Sequence, residues 1–167
     1  MSEAPRALVH ATTIMLAGAA KPFKGPEHAA VLIMGPPGSG KSDLALRLIE
    51  RGARLISDDQ TALFLQDGRL FAEAPPPIRG FLEMRGLGVI TLEAAGPSPL
   101  GLAVEIDPQH DIARMPEPAY YAPPASLGQA TRVPLIRLRP FEASAPTKVV
   151  AAASALEIAG PGSAGEK

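Results

Sequence analysis

The apolar positions of this chain fall into short runs whose period changes several times. Residues 8–16 (LVHATTIML) are β-branched and apolar and predict a strand. Residues 18–27 hold two glycines and two prolines and predict a turn. Residues 29–34 (AAVLIM) are apolar without interruption, as in a strand buried on both faces, and run directly into Gly35. From Lys41 to about Arg51 the period becomes helical. Leu44, Ala45, Leu48 and Ile49 fall on one face, Arg47, Glu50 and Arg51 on the other, and Gly52 is placed to end the helix.

Residues 53–57 predict another short strand, ending at Asp58-Asp59. Residues 61–65 and 69–72 predict a hairpin turning at Asp67-Gly68. Three prolines at 75–77 interrupt the pattern, and Arg85-Gly86-Leu87-Gly88 leads into a strand at 89–92. Further strands are expected at 102–106 and 132–138, a loop over most of 115–127, and an alanine-built helix at 147–158. This reads as one domain over residues 1–159, followed by a disordered tail at 160–167 with nothing apolar to bury.

Composition narrows the function classes. A net charge of −1 over 167 residues gives no sign of a strongly basic surface for nucleic acid, and no apolar run nears the roughly 20 residues a membrane span needs. Cysteine is absent, so disulfides, thiol chemistry and thiolate metal sites are excluded. Glu3 near the start and the lack of a long apolar stretch behind it argue against a secretory signal, so a cytoplasmic location is expected. Asparagine is also absent, which excludes the guanine-reading Asn-Lys-x-Asp motif and the catalytic-loop asparagine of ordinary protein kinases.

Residues 35–42 carry the chemistry. Gly35, Pro36, Pro37, Gly38, Ser39, Gly40, Lys41 and Ser42 fit the phosphate-binding pattern G-x-x-x-x-G-K-[ST], preceded by a strand and followed by a helix as that motif requires. The glycines let the backbone curl with N–H groups inward, and the helix adds its positive N-terminal end. Lys41 is placed to reach the β- and γ-phosphates of ATP, and the Ser42 hydroxyl to ligate Mg2+. Asp58 and Asp59 end the next strand, where ligands of α/β sheets gather. One carboxylate could hold the metal and the other accept a proton, or the pair could be a solvated turn. Glu83 and Arg85 lie two apart, so an extended segment would point both the same way, toward a metal and a phosphate or simply into solvent.

These segments resemble the catalytic, C-terminal domain of bacterial HPr kinase/phosphorylase. The match is carried by His10, by GPPGSGKSDLALRLIERGARLISDD at 35–59, by PPPI at 75–78 and by LEMRGLGVI at 82–90, with similarity over roughly residues 8–95. The resemblance implies a P-loop α/β domain with a mixed sheet, related to the phosphoenolpyruvate carboxykinase-like nucleotide-binding fold. It implies an ATP- and Mg2+-dependent serine kinase acting on HPr, the phosphocarrier of the sugar phosphotransferase system. On this match Asp59 is the base, Lys41 steadies the γ-phosphate, Ser42 and Glu83 join Asp58 in holding the metal, and His10 acts near Asp59. Arg114 stands for the family's downstream catalytic arginine. The family also implies a homo-oligomer, a hexamer. Two departures are expected to matter: a missing N-terminal domain, and residues 138–146 in place of a basic glycine-containing loop, which points to weak or absent phosphorolysis. The rival readings are a P-loop kinase of small molecules and a non-catalytic ATP-sensing module.

Overall fold

The computed structural model describes residues 3–17, 28–109 and 111–155. Its strands are β1 (Arg6–His10), β2 (Thr12–Met15), β3 (Ala30–Met34), β4 (Arg54–Ser57), β5 (Gln60–Gln66), β6 (Arg69–Glu73), β7 (Phe81–Met84), β8 (Gly88–Thr91), β9 (Ser98–Ile106), β10 (Ala119–Tyr120) and β11 (Pro134–Leu138). Among the described residues two α-helices accompany them, α1 (Lys41–Glu50) and α2 (Ala145–Ala155). Short 3-10 turns occupy Pro76–Ile78 and Ala125–Leu127.

Among the described residues nine strands form one curled sheet in the order β1-β5-β6-β9-β3-β2-β4, with β11 also on β9 and β10 on β11. The sheet is mixed, as the resemblance implied: β3 and β11 both run parallel to β9, and the other pairs are antiparallel. Nine-residue β9 joins the β1-β5-β6 part of the sheet to the β3-β2-β4 part, pairing through Ser98 and Pro99 with β6 and farther on with β3 and β11. The expected hairpin at 61–72 is present as β5–β6, turning through Asp67 (φ 51°) and Gly68 (φ 74°), the two left-handed residues that a two-residue hairpin turn demands.

The unbroken apolar run of β3 has a direct explanation. Val31 and Ile33 pack under the helices with Leu44 and Leu48 of α1, whereas Ala30 and Leu32 face the opposite core with Ile56, Leu63 and Leu70. Each fully buried leucine of α1 contributes about 1.5–3 kcal/mol of burial free energy, so the helix is anchored by one face. Ala145, Val149 and Ala153 lay α2 on the same cluster.

Three elements depart from expectation. Residues 8–16 do not form one strand: the chain breaks at Ala11, β1 pairing with β5 and β2 inserting between β3 and β4. The strand expected at 89–92 is present as β8, but the residues before it also form a strand, β7, and the two make a separate two-stranded hairpin. The final helix starts at Ala145, two residues before the expected 147, and is described as far as Ala155; the expected residues 156–158 lie outside the described residues. The turn expected at 18–27 and the tail at 160–167 lie outside the described residues.

Topology determines where the chemistry gathers. β4 is antiparallel to β2, and β2 to β3, so β3, β4, β9 and β11 all point the same way. The loops after their C-terminal ends therefore leave one edge of the sheet. β2 runs the other way, so its first residue, Thr12, starts at that same edge.

Candidate active site

Residues 35–42 wrap from the end of β3 into α1, and their glycines are required by geometry. Gly40 sits at φ 100°, and a Cβ there would stand 2.8 Å from Cζ of Phe141. A Cβ on Gly35 would meet Ser39 Oγ at 2.7 Å and Ile106 at 3.0 Å. Ser39 Oγ is buried with no hydrogen-bond partner among the described residues, a polar atom in the heart of the loop that a phosphate oxygen could satisfy. Pro36 and Pro37 lack N–H groups, and the Ser39 N–H bonds the Pro36 carbonyl, so the inward donors must come from Gly38, Gly40, Lys41 and Ser42.

Lys41 is buried at 7 % exposure, and its Nζ donates to the carbonyls of Gly35 (2.8 Å) and Pro36 (2.9 Å). Burial pushes its pKa below the usual lysine value, while the charges of Asp59 and then Asp58 pull it back up.

Asp58 is the hub. Its carboxylate is buried and takes three donors: Ser42 Oγ at 2.7 Å and Thr12 Oγ1 at 3.0 Å on Oδ1, and the Glu83 main-chain N–H at 3.1 Å on Oδ2. It thereby ties α1, β2 and β7 together. Charge-assisted bonds of this kind are about twice as strong as neutral ones. Its neighbour is arranged in the opposite sense. Asp59 is left-handed (φ 67°), with its N–H on Thr12 Oγ1 and its carbonyl accepting from the Ala11 N–H at 3.0 Å. That twist turns its side chain outward, 71 % exposed and 3.5 Å from His10 Nδ1.

The sequence-predicted residues thus meet in part. His10, Lys41, Ser42, Asp58 and Asp59 converge, whereas the Glu83 side chain is exposed and touches the hub only through its backbone. Arg85 starts the β7–β8 turn rather than sharing a strand face with Glu83, and its guanidinium reaches to 3.9 Å from the Cβ position of Gly38. Arg114 is exposed on the stretch after β9, and no hydrogen bond or ion pair joins it to the P-loop or the aspartates. Thr12 was missed, because a threonine inside an apolar run reads as an ordinary strand residue.

The donor set fits a hard cation. Ser42 and Asp58 present oxygens 2.7 Å apart at the mouth of the loop, and Mg2+ is commonly held by one or two side chains together with phosphates and waters. Among the described residues no group of three or more His, Asp or Glu side chains could hold a metal ion on its own. A cleft of ≈ 340 Å³ lies beside the loop, lined by Gly35, Pro36 and the end of β9 through Gln109.

Comparison with known proteins agrees with this geometry. Residues 27–96 match the family profile described as the HPr Serine kinase C-terminal domain. The HPr kinase/phosphorylase of Latilactobacillus sakei is 51% identical over 61 residues, 36% of this chain and 20% of its own length. That of Clostridium tetani is 43% identical over 77 residues, 46% of this chain and 24% of its own. The matched stretch thus spans about a fifth to a quarter of the length of these relatives. The structure of the Hpr(Ser) kinase/phosphatase from Coxiella burnetii superposes with a TM-score of 0.70 at 22% identity, covering 92% of this chain and 99% of that one, which establishes the fold. His10 and Arg114 fall outside residues 27–96.

Proposed function

We propose, because the chain resembles the catalytic, C-terminal domain of HPr kinase/phosphorylase, that it is an ATP- and Mg2+-dependent kinase that phosphorylates a serine of HPr. One observation carries the reading: two adjacent carboxylates are given opposite situations. Asp58 is buried and bonded to the P-loop serine, while Asp59 is turned outward beside His10. A kinase needs both, one group at the metal and one at the acceptor hydroxyl.

In this reading the inward N–H groups of Gly38, Gly40, Lys41 and Ser42 and the Lys41 side chain bind the phosphates, and Ser42 and Asp58 hold the metal, with Glu83 positioning Asp58 through its main chain and Arg85 above Gly38. The metal, when bound, neutralises charge on the β- and γ-phosphates. Asp59 takes the proton of the acceptor serine as its oxygen bonds to the γ-phosphorus and the bond to the ADP oxygen breaks. His10, 3.5 Å away, positions the Asp59 carboxylate and can relay that proton. Arg114, the downstream arginine of the resemblance, belongs to the same proposal as a contact to the transferred group. Residues 138–146 contain one basic residue and no glycine, which supports weak or absent phosphorolysis. A homo-oligomer, hexameric by resemblance, belongs to the same proposal. A cytoplasmic location belongs to this proposal as well; no helix among the described residues is long and apolar enough to cross a membrane.

The test incubates the chain with γ-labelled ATP, Mg2+ and HPr from the same organism. Label on a serine of HPr is expected. Tight ATP binding without label on HPr would sink the substrate assignment.

A further inference from the structure

We infer that Phe141 is the floor of a nucleobase subsite, on which the base of a nucleotide held by the P-loop stacks. The inference rests on the reading of residues 35–42 as a triphosphate cradle.

The carboxylates lie on one flank of β3, toward β2 and β4, and the loops after β9 and β11 on the other. A nucleotide whose phosphates meet Asp58 and Asp59 can carry its base away from them, toward the β11 side. The segment after β11 is there and reaches back over the P-loop. Phe141 Cζ lies 2.8 Å from the Cβ position of Gly40, so one part of the ring packs against the loop's last glycine. Yet the residue is 71 % exposed, more than Tyr120 at 49 % or Phe81 at 44 %. An aromatic ring fixed on one side and bare on the other suits a planar ligand.

The ring is also held in place. Arg47 of α1 donates to the carbonyl of Pro140 and, at 3.2 Å, to that of Glu142, the two residues flanking Phe141. Lys148 of α2 bonds the Glu142 carboxylate at 2.5 Å, and Arg47 is itself braced by Asp43 at 3.0 Å. The platform is thus tied to the helix whose N-terminus receives the phosphates, which makes it preorganised. Stacking reads the π-face and not the hydrogen-bonding edge, so the subsite favours purines by size without choosing strictly between them.

The experiment compares the affinity of the full chain for Mg-ATP and for magnesium with inorganic tripolyphosphate, in the wild type, Phe141→Ala and Phe141→Trp. Phe141→Ala is expected to weaken ATP about tenfold or more and to leave tripolyphosphate within about twofold. The sequence has no tryptophan, so Phe141→Trp introduces a sole reporter. Its emission should be quenched by ATP and not by tripolyphosphate. Unchanged ATP affinity in Phe141→Ala overturns the inference, as does an equal loss for both ligands, which would mean that Phe141 only shapes the loop. A wild type that binds tripolyphosphate as tightly as ATP overturns it too. A wild type that binds neither ligand removes the P-loop reading, and this inference with it.

Discussion

Thr12→Val isolates the support of the aspartate pair without disturbing the strand. Valine keeps the β-branch and nearly the volume of threonine, and removes only the hydroxyl. That hydroxyl is fully buried, donates to Asp58 Oδ1 at 3.0 Å and accepts from the Asp59 N–H at 3.4 Å. A hydrogen bond to a charged group is worth about 1.5–3 kcal/mol. Asp58 keeps two other donors, Ser42 and Glu83, and the 3.4 Å contact is long, so the lower half of that range applies. A loss of about 2 kcal/mol corresponds to a Tm lower by roughly 4–8 °C for a domain of this size. The assay is thermal unfolding followed by circular dichroism, with Thr12→Ser as control. Serine keeps the hydroxyl and should lose only the methyl packing, about 1 kcal/mol. Thr12→Val melting at the wild-type temperature, or above Thr12→Ser, would refute the claim that this hydroxyl sustains the buried carboxylate.

Two further outcomes follow from the P-loop. Gly40→Ala forces a side chain into φ 100° and against Phe141, so it should cost about 1–2 kcal/mol of stability and at least tenfold in ATP affinity. Gly52→Ala, at φ 104° with open space around it, should cost similar stability and leave affinity intact, and calorimetry separates the two. Lys41 titrates below its usual 10.5 because it is buried. Between its native pKa and 10.5 the unfolded chain holds more protons, so wild-type stability gains on Lys41→Met as pH rises through that window. Denaturant unfolding of both proteins along that pH series checks it, and a constant difference would contradict it.

What could be read from the sequence divides along physical lines. The P-loop, α1, β3, β4 and the β5–β6 hairpin were legible because local period and turn chemistry specify them, Asp67-Gly68 most clearly. The break at Ala11 was not, since alanine suits a strand interior and only the partners, β5 on one side and β3 with β4 on the other, divide the run. The β7–β8 hairpin was half-seen: Gly86 and Gly88, both at positive φ, signalled a turn, but Phe81 to Met84 carried too little alternation to read as a strand. In the site, Asp58-Asp59 was recognised as a pair, yet its division into a buried and an outward carboxylate depends on Thr12, 46 residues from Asp58 in the chain, and on the left-handed twist of Asp59. Phe141 was legible only as an apolar residue in a loop, because its place over Gly40 comes from Arg47 drawing in the carbonyls on either side.

The central claim is that Asp59 acts on the acceptor while Asp58 and the P-loop hold the nucleotide. Asp59→Asn tests it, with Mg-ATP affinity and phosphoryl transfer to HPr measured on the same protein. Affinity within about twofold of wild type and transfer lowered by about 10²–10⁴ are the predicted pair of results. Transfer that persists in Asp59→Asn, or that falls only as far as ATP affinity falls, would contradict it.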